Sequence, residues 1–536
     1  MPTRAQGSFN IGLLFETQAA HHQQAFTLDR PFDIAPDRGV GWTLSGFARL
    51  VAEASGWLHA SGVRPGDNVA VVKRNHYDIV LLAAAAARIG AFPAMISAEV
   101  PPKALRVMLD RLNPRTVLAS PEVIRGALDD GVDLGGQESR IVSIGEPPAD
   151  SDATPLDEYR DAPVPPASPV ADDQPMIATH TSGTTGVPKL VVHSATTLCR
   201  EAPRLERIRW APWTPSAKDV VVNCTAFNHG RNVSWTSGVL ACPSREIVII
   251  SEANPENVAR VLSDRRPTLF EAHPNMYQLW EDIVRTHPEV FSRVRQYIST
   301  FDAIHPRTVR RFLNASKRRL PLWSQGWGQS ETAVIAFSTY TRRSMRKFGP
   351  GNPALAAGGR RAPGSKVKVA GSAEQPALPR GEVGIVFVRS ASRCVNYLGE
   401  EERWREKTAA NWWNTGDLGR FDARGRVTLV DREVDRIPGI SCIEAEGLLL
   451  ERLDRAHEVV VLPNPQGLPV PVVSMPDGEL SPDEWKRASE GLPPMEEPHL
   501  VSWDDIPRTS TWKVRRLELR ERIVGGTEGF GTGKWT

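Results

Sequence analysis

Apolar positions in the first 145 residues switch between two periods. In 44–61, Leu44, Phe47, Leu50, Val51, Ala54, Trp57 and Leu58 recur at three- and four-residue steps and stop at Gly62, which predicts an amphipathic helix. Pro65-Gly66-Asp67 predicts a turn, 68–72 a short buried strand, and 77–89 an alanine-rich helix stopped at Gly90. Strands are predicted at 94–97 and 116–119, with a helix at 101–112 between them. This alternation predicts an α/β fold with a mostly parallel sheet and helices on its faces. Residues 146–175, rich in Pro, Asp and Ala, read as a solvated connection. Beyond them strands are predicted at 219–226, 246–250, 269–272, 296–300, 322–324 and 427–430, with helices at 255–262 and 275–284. From about 433 a smaller α/β unit begins: helix 443–453, strands 458–462 and 470–474, helix 482–490.

Bulk properties narrow the class. A chain of 536 residues exceeds the roughly 250–300 at which one core stops growing, so at least two domains are expected. Hydrophobic residues at 40% and charged ones at 24% are ordinary for a soluble globular protein. The net charge of +2 gives no global case for nucleic acid or an anionic membrane. Five scattered cysteines without a Cys-x-x-Cys pair argue against zinc or a disulfide framework and fit a reducing cytosol. Leu13-Leu14-Phe15 is cut off by Glu16, so no secretory leader is expected. The apolar run 79–89 contains Arg88 and is too short to span a bilayer. A cytoplasmic protein acting on small molecules is the expectation.

The densest chemistry is Thr179-His180-Thr181-Ser182-Gly183-Thr184-Thr185-Gly186-Val187-Pro188-Lys189. Met176-Ile177-Ala178 leads into it and Val191-Val192 follows, which predicts strand–loop–strand. Gly183 and Gly186 permit a tight turn whose N–H groups face an anion. Thr181, Ser182, Thr184 and Thr185 add hydroxyl donors, and Lys189 adds a compact positive charge suited to polyphosphate. A Walker loop is excluded, because Leu190 follows the lysine instead of Ser or Thr.

This stretch resembles the phosphate-binding loop of the AMP-forming adenylating enzymes: acyl- and aryl-CoA synthetases, luciferases and peptide-synthetase adenylation domains. Further motifs stand in that superfamily's order. His229, in Phe227-Asn228-His229-Gly230, matches an aromatic or histidine between the acyl pocket and the nucleotide. Phe301-Asp302-Ala303 stands where small residues, often a glycine pair, lie against adenine. Gly326-Trp327-Gly328-Gln329-Ser330-Glu331 is similar to the aromatic-Gly-x-Thr-Glu motif. The resemblance implies Trp327 on adenine, Ser330 donating to the α-phosphate, and Glu331 with Thr184 holding Mg²⁺. Asp417, in Asn414-Thr415-Gly416-Asp417, would take the ribose hydroxyls, and Arg432 would meet the ribose or phosphate. Lys513, in Pro507-Arg508-Thr509-Ser510-Thr511-Trp512-Lys513, would neutralise charge on the α-phosphate and the attacking oxyanion. Arg231 adds a positive charge close to the pocket. The resemblance implies a large N-terminal domain of stacked, mostly parallel sheets at 1–432. It also implies a small mobile α+β domain carrying the catalytic lysine at 433–525; the glycine-rich end, 526–536, reads as a flexible tail.

Departures cluster in the small unit. The glycine-rich loop that usually admits pantetheine is short here, through Pro438-Gly439-Ile440-Ser441-Cys442. Val434 stands at the usual hinge position beside Asp435, and Trp512 replaces the glycine before the lysine. None of these removes an adenylation residue, and all bear on a thiol step. ATP and Mg²⁺ are therefore expected, with CoA left open. The resemblance implies a ligase that activates a carboxylate, aromatic acids being among the candidates, as its AMP anhydride and releases pyrophosphate. Two alternatives remain: a diazotase that activates nitrite and transfers the nitrosyl group to an aromatic amine, and a non-catalytic nucleotide-binding relic. Intact Lys189, Glu331, Asp417 and Lys513 oppose the relic.

Overall fold

The computed structural model describes residues 9–136, 139–181, 187–208, 214–346, 358–432, 441–464, 467–509 and 511–525. Among these residues two large sheets and one small one are built. The eight-stranded sheet has Asn68–Lys73 near its middle, paired in parallel with Phe92–Ser97 on one side and Thr116–Ala119 on the other. The helices Asp78–Arg88 and Pro102–Leu112 make the crossovers, as the hydrophobic pattern predicts. Beyond Phe92–Ser97 lie Pro175–His180 and, antiparallel to it, Leu190–Ser194, so the phosphate-loop sequence does join two strands.

The fourteen-stranded sheet has a parallel half and an antiparallel half. Its parallel half runs Ala25–Leu28, Glu246–Ile249, Val220–Cys224, Leu269–Ala272, Gln296–Ser299, Leu322–Gln329. The sheet then continues antiparallel through Ala333–Tyr340 towards Val427–Arg432 and Trp412–Phe421. Helix Asp78–Arg88 is buried along its whole length, in a core that draws on both sheets: Val69 and Val71 from one, Val221, Ile247 and Ile249 from the other. Its alanines keep the layers close. Helix Ile11–Ala19 crosses it at Gly12, where a Cβ would meet the Arg88 backbone N at 2.4 Å.

Three expectations differ in detail. The helix expected at 275–284 is two short ones, Pro274–Leu279 and Glu281–Thr286. Helix Gly230–Leu240 is absent from the sequence reading, because two glycines, Asn, Ser, Thr and β-branched residues give it weak intrinsic propensity; burial holds it instead. The aromatic-glycine motif is part of a strand, not a turn after one: Leu322–Gln329 passes through it with a bulge between Trp327 and Gly328.

Towards the C-terminus a small unit is built from strands Glu458–Leu462, Val470–Ser474 and His499–Leu500 with helices Cys442–Arg452, Pro482–Ser489 and Arg516–Ile523. Arg307, buried at the start of helix Pro306–Ala315, donates to the carbonyls of Leu450, Leu453, Asp454 and Ala456 at 2.8–3.0 Å. Leu450 and Leu453 stand at the end of helix Cys442–Arg452, where backbone acceptors have no helical partner and a cation is favoured, and Asp454 and Ala456 lie in the turn that follows. The expected domain boundary, the hinge Val434–Asp435, the short loop through 440 and the tail 526–536 lie outside the described residues. No helix among the described residues is long and apolar enough to cross a membrane.

Candidate active site

Three edges converge on one place: the end of the Pro175–His180/Leu190–Ser194 pair, the Gly326–Glu331 stretch, and the strand carrying Asp417. The base of the phosphate loop is closed by Thr181 and Lys189. The Thr181 N–H donates to Lys189 O, and the Lys189 N–H to Thr181 Oγ1, each at 3.1 Å. Ser182, Gly183, Thr184, Thr185 and Gly186 lie outside the described residues. The Lys189 ammonium rests 5.7 Å from the centre of the Tyr397 ring. Burial holds its pKa down to about 8, opposed by the nearby Glu331 carboxylate.

Glu331 is buried, and the Tyr397 hydroxyl donates to its Oε1 at 2.5 Å. Among the described residues no hydrogen bond reaches its Oε2. No cluster of three or more His, Cys, Asp or Glu able to hold a metal occurs among the described residues. Of the described residues, Glu331 would supply a carboxylate oxygen to Mg²⁺, with phosphate and water oxygens among the remaining ligands, as is ordinary for this ion.

His229 caps helix Gly230–Leu240: its Nδ1 accepts the Arg231 N–H at 3.0 Å. The ring proton is thereby on Nε2, which lies 3.1 Å from Ser330 Oγ. Burial, reinforced by the Lys513 charge, holds the His229 pKa well below the usual imidazole range. His180, His193 and His273 are lowered by burial too, His193 to about 4 and His273 to about 3. Around neutrality all four rings are uncharged. The positive charge of the site then belongs to the lysines, and His229 is a hydrogen-bond donor to Ser330, not a base.

Lys513 comes from the small unit. Its segment is closed by Thr509 N–H donating to Lys513 O at 2.9 Å and Lys513 N–H to Thr509 Oγ1 at 3.2 Å. Its charge bears on both His229 and His273, so it stands beside the site of the large unit. Trp512 keeps the backbone of the glycine it replaces, with φ +62°. Its ring packs with Trp503 against the Tyr277–Trp280 core, and Asn275 donates to its carbonyl at 3.0 Å. Trp512, His273, Asn228 and Met276 help to line a cavity of about 170 Å³, with Glu99 and Glu252 also on its wall. Phe301 likewise holds φ +84°. Its ring lies 4.7 Å from His229 and 4.4 Å from His273.

Asp417 is buried opposite Arg432 across the antiparallel strands. Gln329 Nε2 donates to Asp417 Oδ2 at 3.1 Å and to Thr415 O at 2.7 Å, and Gln329 Oε1 accepts from Trp413 Nε1 at 3.2 Å. Trp327 is 8% exposed, packed with Val191, Tyr397 and Trp413. Asp302 turns its carboxylate onto the Ala303 N–H at 2.9 Å, within its own exposed turn.

One expectation is corrected. Arg231 brings no free positive charge to the pocket. Its guanidinium is bidentate to Glu271 at 2.7 and 2.8 Å and reaches Glu206 at 2.5 Å. Two carboxylates on one buried cation leave the cluster without positive charge to spare. The sequence reading also missed Tyr397 and Gln329. Gln329 stands inside a recognised motif and carried a usable signal; Tyr397 is a lone aromatic on a two-residue strand and carried none.

The chain as a whole is similar to known proteins. The family model described as AMP-binding enzyme matches residues 15–398. A 3-amino-2-hydroxy-4-methoxybenzoate diazotase of Streptomyces cremeus is 36% identical, over 98% of this chain and 97% of that protein. A 4-hydroxybenzoate–CoA/benzoate–CoA ligase of Rhodopseudomonas palustris is 25% identical over 89% of this chain and 88% of its own length. Among solved structures, a benzoate CoA ligase from Burkholderia xenovorans is similar in fold, with TM-score 0.75 and 19% identity, covering 96% of this chain and 100% of that one. The chain belongs to the AMP-binding enzyme family: it is an adenylate-forming enzyme.

Proposed function

We propose that this chain uses ATP to convert a small oxyanion, in the first instance an aromatic carboxylate, into its AMP mixed anhydride, and then passes the activated group to an acceptor. The observation that carries the reading is the meeting of two lysines, one uncommitted carboxylate oxygen and neutral imidazole and hydroxyl donors at one place. The carboxylate attacks the α-phosphorus and pyrophosphate leaves. Both partners are anions, so the work of the site is to offset repulsion and fix geometry. Lys189 and the loop through Ser182, Gly183, Thr184, Thr185 and Gly186 take the phosphates. Ser330, oriented by His229, donates to the α-phosphate. Lys513 spans the α-phosphate and the incoming oxygen. Glu331 and Thr184 hold Mg²⁺, which would screen the phosphate charge. Asp417, with Arg432, fixes the ribose, and Trp327 with the Asp302 turn borders the base. The division into units 1–432 and 433–525 belongs to the same reading, with Lys513 brought in by the second.

A second reading is favoured by the 36% identity to a diazotase over nearly the full length of both proteins. There nitrite is the oxyanion and an aromatic amine the acceptor. Phe301 in place of a small residue and Trp512 in place of glycine support an acceptor other than CoA. Pyrophosphate release with ATP and Mg²⁺, products read by mass, tests both. One arm holds aryl and alkyl carboxylates, a second adds CoA, and a third holds nitrite with aromatic amines. Adenylate or thioester formation from carboxylates supports the first reading, and turnover confined to nitrite with an amine supports the second. No release in any arm removes both.

A further inference from the structure

Tyr397 is fully buried on the short strand Asn396–Tyr397, in register with Val191 and so close to the end of the phosphate loop. Two charged groups meet it. Its hydroxyl donates to Glu331 Oε1 at 2.5 Å, and its ring face carries the Lys189 ammonium at 5.7 Å. The ring also meets Trp413 edge-on, 5.9 Å between centres at 77°. Trp413 in turn donates to Gln329, and Gln329 to Asp417.

Lys189 and Glu331 are opposite charges, the lysine partly buried and the carboxylate buried, and burial strengthens their attraction over that in bulk solvent. Closed onto each other they would form an ion pair, and each would be withdrawn from ATP: the ammonium from phosphate, the carboxylate from the metal. Tyr397 opposes that closure at both ends. A neutral O–H occupies one carboxylate oxygen, and the π-face offers the ammonium another seat.

We infer that Tyr397 is a positioning residue that holds Lys189 and Glu331 apart, leaving the lysine available to phosphate and the second glutamate oxygen available to Mg²⁺. This rests on the proposed function. It extends that reading to a residue that the nucleotide itself need not touch.

The test is equilibrium binding of ATP by the full-length protein, measured calorimetrically across a Mg²⁺ series. The proteins compared are the wild type, Tyr397→Phe, Glu331→Gln and the double variant. Phe keeps the ring and removes the hydroxyl. Tyr397→Phe is expected to need roughly tenfold more Mg²⁺ for the same ATP affinity, the size expected when a hydrogen bond to a charged group is lost. In the Glu331→Gln background the same substitution is expected to change the Mg²⁺ dependence little, because the carboxylate it spaces is gone. Tyr397→His, which retains a donor, is the second variant and is expected to lie nearer the wild type than Tyr397→Phe. An unchanged Mg²⁺ series in Tyr397→Phe with only a lower melting temperature would mean plain packing and would overturn the assignment. So would an undiminished effect in the Glu331→Gln background. If the wild type binds no ATP at any Mg²⁺ concentration, the proposed function falls first, and this assignment with it.

Discussion

Phe301 stands edge-on to His229, ring centres 4.7 Å apart and planes at 74°, on a backbone with φ +84°. A bulky residue in that region of backbone space carries a cost of order 1–3 kcal/mol, and glycine carries none. The ring therefore stands against His229 and His273, the latter on the cavity wall, in spite of a backbone preference. Phe301→Gly is expected to relieve the strain and admit bulkier ring-substituted substrates, while Phe301→Ala keeps the strain and loses the ring. Specificity constants across a series of substituted benzoates or anilines check this. An identical size preference in Phe301→Gly would show that the ring does not bound the pocket.

Lys513→Ala is expected to slow adenylate formation by roughly 10²–10³, the cost of one lost oxyanion donor, with ATP affinity almost unchanged. Single-turnover pyrophosphate release beside equilibrium ATP binding separates the two effects. A parallel loss in both would make Lys513 a ground-state ATP contact instead.

Lys189 gives the pH dependence a direction. Its pKa in the free protein is about 8, lowered by burial. The protonated form attracts phosphate, so ATP affinity is expected to be greatest below that value and to fall as pH rises through it. Bound phosphate raises the lysine pKa, so the decline continues until the bound-state pKa is passed. Lys189→Arg, charged throughout this range, is expected to flatten the profile. A wild-type profile already flat between pH 7 and about 9.5 would remove Lys189 from phosphate binding.

Gln329 braces the side chain assigned to ribose. Gln329→Leu removes its bonds to Asp417 and Thr415 and is expected to weaken ATP more than 2′-deoxy-ATP. The penalty is on the order of 1–2 kcal/mol, as for one charge-assisted hydrogen bond. Equal weakening of the two nucleotides would assign Asp417 elsewhere.

The parallel sheet and its crossovers were legible because 44–61, 68–72 and 77–89 carry long, clean periods. The helix starting at Gly230 was not, since its stability comes from burial and its residues favour other states. Lys189 was singled out by its donor-rich loop, and Ser330, Glu331, Asp417 and Lys513 by the motifs that resemble the adenylating enzymes; their roles belong to the proposal above. What a side chain faces across 20–200 residues was not legible. Arg231 reads in sequence as a free cation, and only the fold brings Glu206 and Glu271 to it. Tyr397 reads as core, and only the fold sets it between two charges. Phe301 and Trp512 show the converse. Phe301 stands where a small residue is expected and Trp512 where glycine is, yet both hold a positive φ of the kind glycine adopts most readily.

Arg307 serves four carbonyls at the blunt end of one helix of the small unit. Such a contact does not loosen a bond at a time, because withdrawing a single guanidinium strips all four acceptors together, and water must reach every one of them in the same event. Arg310 and Arg311, one turn along the same helix, reach Glu451 and Asp454, so the end of helix Cys442–Arg452 is seated on helix Pro306–Ala315 by three arginines, of which Arg307 alone works through backbone carbonyls.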